Sequence, residues 1–315
     1  MIVLPRKKTS IHRQLEILLP RMHQSDSLYP KLQDIFSREE SGYFGEKSLD
    51  YYYDLLNLEP FPILHGLRLP NENKFFQIDT LILFPNVFLL IEVKNYSGII
   101  NYQLEKNLLI RQKENGQLER FGDPVVQVNI QRHHLMNLLK EMNVTIPLHP
   151  LVVFSNPNAI LQVPNYVNNL IVAQSLLKKI PEIKKSYSNN HLIHSQLIEI
   201  ANKLLEKHSP DKTNVIEKYK IEHHQIRNGV WCTNCRKEMM DWQSKNWVCA
   251  KCGHRDQNAY IEALKEYKIL FGNKINNKLA RHFLRLNCPD VTKRLLKKAK
   301  LKKLGNYRYT QYIIP

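Results

Sequence analysis

The sequence predicts an α/β protein: a mixed sheet flanked by helices, followed by a small cysteine-rich ribbon and a basic, helical C-terminal module. Three observations carry this. Residues 75–98 read as two strongly apolar strands around Phe84-Pro85-Asn86, a turn signal at hairpin distance, and their only charged groups are Asp79, Glu92 and Lys94. Four of the five cysteines fall into two Cys-x-x-Cys pairs, Cys232/Cys235 and Cys249/Cys252. Between residues 259 and 300, three helical stretches surround the turn Asn287-Cys-Pro-Asp290.

A chain of 315 residues suggests two domains, or one with appendages. Its formal net charge of +17 makes a polyanion the expected large partner. Nucleic acid is favoured over a membrane, because no apolar run reaches the roughly 18 residues that a spanning helix needs. Met1 to Lys8 lacks the apolar core of a signal peptide, so the expected location is cytoplasmic. In a reducing compartment, paired cysteines point to metal rather than to disulfides. Cys288 is left over and is expected as a buried small residue.

Ile11, Leu15, Leu18 and Leu19 have helical spacing, and Tyr29-Pro30 is expected to break that run. Arg6, Lys7, Lys8 and Arg13 make this stretch basic, which a solvated face explains equally well. Ser41 to Glu46, with glycines at 42 and 45, reads as a loop leading into a helix through Leu56. Glu46 would then lie in the first turn, where an acid caps the helix dipole. Strands are expected at 61–69, in the hairpin, at 99–102 and at 108–112, with the polar turn Pro70 to Asn73 before the hairpin. Asp123-Pro124 signals the start of a long helix to about Met142, with Gln127 and Gln131 one turn apart. Residues 151–154 and 170–173 are short strands, and 186–207 a closing helix.

If the hairpin loop has an even number of residues centred on Pro85 and Asn86, Asp79 stands opposite Glu92 and Gln77 opposite Lys94. All four side chains then share one face. On residue types alone, an acid pair with a lysine fits a structural ion pair. The pattern Asp, a dozen residues, Glu-x-Lys, borne on a hairpin, instead points to a divalent-metal site in which carboxylates supply hard oxygen ligands and a lysine offsets developing negative charge.

Gly42-x-x-Gly45-Glu46, Phe76-Gln-Ile-Asp79, Ile91-Glu-Val-Lys94-Asn-Tyr-x-Gly98 and Asp123-Pro-x-x-Gln127 occur in this order. Their order and spacing resemble the NERD (nuclease-related) domain, similar to the PD-(D/E)xK nucleases, over about residues 35–155. The resemblance implies a restriction-endonuclease-like sheet, with Asp79 and Glu92 binding Mg²⁺ or Mn²⁺. It also implies Lys94 as the catalytic lysine, with Glu46 and Gln127 as further polar residues of the site. The implied activity is metal-dependent hydrolysis of phosphodiester bonds in nucleic acid, with DNA the expected substrate and no small-molecule cofactor. The alternative is a catalytically inactive nucleic-acid-binding or scaffolding protein that keeps the nuclease fold.

The two cysteine pairs, thirteen residues apart, match a four-cysteine structural zinc ribbon, with Trp242 to Val248 as its β-turn and His254 as a bystander. So small a ribbon has almost no core, and metal is expected to supply its folding energy. Residues 259–270, 275–284 and 290–300 resemble a winged helix-turn-helix, with 290–300 as recognition helix and 304–314 as a strand-like wing. Lys293, Arg294, Lys297, Lys298, Lys300, Lys302 and Lys303 are the expected nucleic-acid contacts. The expected organisation is an N-terminal helical extension (1–34), a nuclease-like domain (35–210), a linker (211–227), the ribbon (228–257) and the winged-helix-like module (258–315).

Overall fold

A computed structural model describes residues 1–72, 74–164, 167–187, 189, 191–306 and 310–315. The chain opens with β1 (Ile2–Leu4), α1 (Ser10–Leu18), α2 (Tyr29–Ser48) and α3 (Asp50–Leu55). Six strands follow: β2 (Ile63–Asn71), β3 (Lys74–Leu83), β4 (Phe88–Lys94), β5 (Gly98–Gln103), β6 (Leu108–Gln112) and β7 (Leu118–Gly122). Then come α4 (Pro124–Glu141), β8 (Leu148–Phe154), β9 (Ala159–Gln162), β10 (Leu170–Val172), α5 (Leu176–Ser186), α6 (His194–Lys207) and α7 (Val215–Tyr219). The remainder is β11 (Val230–Trp231), β12 (Met239–Gln243), β13 (Asn246–Val248), β14 (Arg255–Asp256) and α8 (Ala259–Phe271). It ends with β15 (Lys274–Ile275), α9 (Asn277–Phe283), α10 (Pro289–Lys298), β16 (Lys302–Leu304) and β17 (Gln311–Ile313). These elements form two compact units: residues 1–8 with 38–211, and residues 9–37 with 212–315.

In the first unit a six-stranded sheet has the order β1-β2-β3-β4-β8-β10. It is mixed: β2, β3 and β4 are antiparallel neighbours, whereas β1, β8 and β10 pair in parallel. Leu81, Leu83, Leu90 and Val152 turn to one face, against Val128, Leu135 and Leu139 of α4 and Leu197, Ala201 and Leu204 of α6. Ile82, Leu89, Ile91 and Val153 turn to the other face, against Tyr53, Leu176 and Ile180. Because both faces are covered, β4 reads as an unbroken apolar run rather than an alternating one. A second sheet, β7-β6-β5-β9, contains two strands that the sequence conceals. One of them, β7, is a short edge strand bearing Glu119 and Arg120, and the other, β9, has only four residues.

Several boundaries differ from expectation. Tyr29-Pro30 begins a helix rather than breaking one, since proline in a first turn lacks only an N–H that would be unpaired there. Gly42 and Gly45 lie inside α2, not in a loop. A Cβ at Gly45 would sit 2.5 Å from Asn95 Cβ and 2.8 Å from Ser155 Oγ, so this glycine lets the helix lie against two strand ends. The closing helix expected at 186–207 is α6 alone, beginning at His194. The segment before it is tied to the β3–β4 turn, where the Asn86 amide donates to the carbonyls of Lys184 (2.6 Å) and Tyr187 (2.5 Å). Of the polar turn expected before the hairpin, Asn73 lies outside the described residues.

The second unit contains the ribbon, a four-stranded antiparallel sheet in the order β11-β12-β13-β14. Its central hairpin turns at Ser244 and Lys245, both with positive φ (46° and 64°), the turn geometry that matches strand twist. After it come α8, β15, α9, α10, β16 and β17, with a sheet β15-β17-β16, which is the element order of a winged helix. The expected wing at 304–314 is a hairpin between β16 and β17, within which Tyr307, Arg308 and Tyr309 lie outside the described residues. Its third helix stops at Lys298, and Lys300 turns out of it with φ 54°. The ribbon has an apolar core after all: Val230, Met240 and Trp247 are buried in one cluster with Tyr260, Leu264, Phe283 and Leu296. Residues 211–227 carry α7, and Val215, Ile221 and Ile226 are buried with Leu15, Leu18, Met22 and Leu270.

Arg21 is the charged residue that ties this unit together, and it is fully buried. Its guanidinium pairs with Glu266, donates to the carbonyls of Arg227 (2.9 Å) and Gly229 (3.2 Å), and lies 4.8 Å from the Phe283 ring centre. Arg21→Ala strands these acceptors, at an expected cost of about 3 kcal/mol or more. All three tryptophans lie in this unit, so their fluorescence during urea unfolding measures the loss separately from the first unit.

Candidate functional site

The hairpin has the expected register, with Leu83 paired to Phe88, Ile82 to Leu89, Leu81 to Leu90 and Thr80 to Ile91. One step further along stand Asp79 and Glu92. There the strands part. Ile78 and Gln77 pair only with β2, at Leu67 and Arg68, while Glu92, Val93 and Lys94 pair with Val152, Val153 and Phe154 of β8. The expected Gln77–Lys94 pairing therefore does not form, and Gln77 is exposed. At the fork, Asp79 Oδ2 accepts the Val93 N–H at 2.9 Å, so a carboxylate takes the place of the next ladder carbonyl.

Glu92 is buried and accepts three hydrogen bonds. Oε1 accepts from Lys94 Nζ (2.7 Å) and Gln127 Nε2 (2.7 Å), and Oε2 accepts from Gln131 Nε2 (2.8 Å). Lys94 Nζ also donates to Gln127 Oε1 at 3.0 Å, closing a ring of three side chains. The two glutamines come from α4, whose start is fixed by Asp123: its Oδ1 accepts the N–H groups of Val125 and Val126, and Pro124 follows at the first helical position. Residues 127 and 131 then project from one face of the helix. Gln131 was not among the expected site residues, although its spacing from Gln127 was the available signal.

Glu46 sits in the last turn of α2, not in a first turn, so the capping interpretation fails. A carboxylate at a helix C-terminus meets the wrong end of the dipole and needs a cation. Arg6 supplies one, its Nη1 donating to Glu46 Oε2. Its Nη2 donates to Asp50 Oδ1 (3.1 Å) and lies 2.9 Å from His65 Nδ1. The Arg6 side chain is 7% exposed, far from the solvated basic face that its neighbours suggest.

The acids influence one another. Burial, then the charges of Glu92 and Glu46, push the Asp79 carboxyl well above the usual carboxylate range. Burial raises Glu46 to about 7, with Glu92 and Asp50 acting in the same direction and Arg6 opposing them. Burial works against the Lys94 charge, but the Glu92 carboxylate prevails and keeps its pKa raised. Burial and the Arg6 charge lower His65 to about 3, which leaves it a neutral acceptor. Glu92, Lys94 and Gln127 thus meet through hydrogen bonds, and Asp79 and Glu46 join them through their electrostatics.

Residues 41–155 match the NERD family, the nuclease-related domain. Comparison with curated proteins and with solved structures gave no match. The NERD span contains Glu46, Asp79, Glu92, Lys94, Gln127 and Gln131, and Arg6 lies outside it. Among the described residues, no helix is long and apolar enough to cross a membrane.

The four ribbon cysteines bring their sulfurs within 4.8 Å of one another. Cys232 and Cys252 Sγ are 3.6 Å apart, and Cys235 and Cys249 Sγ 3.8 Å. A zinc ion with Zn–S bonds of about 2.3 Å in a tetrahedron requires sulfur separations of about 3.8 Å, so the cluster could hold zinc. Both knuckles close alike, with Arg236 N–H donating to Cys232 O, Gly253 N–H donating to Cys249 O, and positive φ at both donors. His254 Nε2 lies 3.2 Å from Thr233 Oγ1. Cys288 is exposed at the N-cap of α10 rather than buried.

On α10, Thr292, Leu295 and Leu296 are buried, while Lys293, Arg294, Lys297 and Lys298 are exposed. Lys300, Lys302 and Lys303 are exposed beyond it. The expected zinc content is one ion per chain by elemental analysis. Cys235→Ser is expected to lose the metal and to lower the second unit's unfolding midpoint without abolishing its fold, because the ribbon shares the Trp247–Tyr260 core.

Proposed function

We propose that the protein is a metal-dependent nuclease that hydrolyses phosphodiester bonds of nucleic acid, with DNA as substrate, and that the zinc ribbon and basic winged-helix-like module target it. The observation that supports this most strongly is the fork between β3 and β4. Two antiparallel strands part at Asp79 and Glu92, and beside that opening, within a NERD domain, one lysine and two glutamines hold Glu92 while Asp79 and Glu46 couple to it electrostatically. The donor set fits a hard divalent cation: only oxygen ligands are offered, and crowded acids with raised pKa values lose repulsion when a cation joins them.

Asp79 and Glu92 are the residues that would hold Mg²⁺ or Mn²⁺. Such an ion supplies Lewis acidity and an acidified water when bound. Lys94, kept cationic by Glu92 and oriented by Gln127, offsets charge that develops on the phosphoryl oxygens. Gln131 holds the second Glu92 oxygen and so fixes the plane of that carboxylate. The exposed basic residues 293–303 contact phosphates, which confers affinity and salt dependence without sequence preference.

One observation favours the second reading, a nucleic-acid-binding protein without turnover. With three donors, the Glu92 carboxylate is already well satisfied without any ion. Linear, nicked and branched DNA incubated with Mg²⁺ or Mn²⁺ separates the two readings. The wild type is expected to cleave, whereas Lys94→Ala and Asp79→Asn lose about 10²-fold or more of the rate and keep DNA affinity. DNA left intact by the wild type and by Asp79→Ala alike overturns the catalytic reading. In binding titrations, Lys297→Glu with Lys298→Glu is expected to weaken affinity for all sequences and to reduce the salt slope by about one unit for each phosphate no longer neutralised.

A further inference from the structure

The Arg6 guanidinium joins three elements of the first unit. Parallel pairing of β1 with β2, at Ile2–Ile63 and Leu4–Leu64, brings residue 6 over that strand. There Arg6 meets Glu46 in the last turn of α2, Asp50 in the first turn of α3 and His65 on β2. His65 Nδ1 also lies 3.1 Å from Thr80 Oγ1, on the residue next to Asp79. We propose that Arg6 is a positioning residue of the candidate nuclease site: its planar fork pins one oxygen of Glu46, which fixes this carboxyl within the acid cluster and favours its ionised form. This deepens the nuclease reading and rests on it for its catalytic consequence, but the Arg6–Glu46 coupling stands apart from turnover.

The contact is a demanding one. Glu46 is faced by Arg6, by Glu92 and by Asp50, and Asp79 senses its charge in turn. Of these partners, only Arg6 favours the ionised form. Arginine stays charged throughout the working pH range and reaches two acceptors at once with fixed geometry, which a lysine cannot do. His65 accepts as a neutral ring, so it adds orientation without a competing charge. A NERD domain limited to residues 41–155 lacks this cation.

Full-length wild type, Arg6→Gln and Arg6→Lys test the proposal, with folding checked by circular dichroism. With the neutral Arg6→Gln, DNA affinity and KM are expected to stay within twofold, kcat to fall about tenfold to a hundredfold, and the acidic limb of the pH profile to move to higher pH. Arg6→Lys retains a cation but not the fork, so its acidic limb should stay near that of the wild type while kcat still falls. Carbon-13 NMR of the Glu46 carboxyl follows the coupling without turnover: a midpoint near 7 in the wild type, higher in Arg6→Gln. A wild type that fails to cleave removes the nuclease reading, yet the NMR comparison still decides the coupling. Unchanged kcat and pH profile in both variants of a cleaving enzyme, or an unchanged Glu46 midpoint, overturns the role of Arg6. If Arg6→Gln does not fold, Arg6→Lys alone decides: wild-type kcat in that variant overturns the positioning role.

Discussion

A desolvated carboxylate in the middle of a sheet is the constraint on which the first unit depends. Glu92 lies in β4 with apolar residues before it, and a buried anion there is tolerable only when donors surround it. Three donors do, and two of them come from one helix. The position of α4 is therefore fixed at both levels. Val128, Leu135 and Leu139 pack on the sheet face, while Gln127 and Gln131 must reach Glu92. Asp123 matters for the same reason, since it caps the first turn of the helix that carries both glutamines.

The second unit solves a similar problem with the opposite sign. Arg21 is a buried cation, satisfied by Glu266, two backbone carbonyls and an aromatic ring. Its carbonyl partners, those of Arg227 and Gly229, stand just ahead of β11, the first strand of the ribbon. The strands that carry the first cysteine knuckle thus start from a pinned point. Trp247 and Met240 then bury the ribbon's inner side against α8, so metal and apolar packing act together there.

Much of this was legible in the sequence, where local rules apply. The parity of the loop at Pro85-Asn86 set the hairpin register, because a one-residue slip would turn every apolar side chain to the other face. Asp123-Pro124 announced the start of α4, and the cysteine spacing announced the cluster. What escaped has a common cause. Gly45 looked like a turn residue because glycine marks both a turn and a close approach, and only the neighbours Asn95 and Ser155 decide between them; Gly42, in the same helix, has no such neighbour. Arg6 stood in a basic run that any solvated face would produce, and its partner lies forty residues away in the sequence. The fork was hidden as well, since no alternation pattern says where two paired strands part company.

That fork bears on whether the charges at its mouth are scaffolding. A structural network tends toward neutral pairs, each anion with its own cation. Here Glu92 is matched by Lys94, and Glu46 and Asp50 share Arg6, while Asp79 accepts a backbone N–H and, among the described residues, forms no ion pair of its own. Its carboxyl is pushed well up by burial and by the other acids, so the fold disfavours the anion there and favours the protonated acid. An asparagine could accept the Val93 N–H equally well without that repulsion. The ionised aspartate at this position is thus costly to the fold as it stands; taking up a proton relieves that cost, and a cation entering the cluster would do the same.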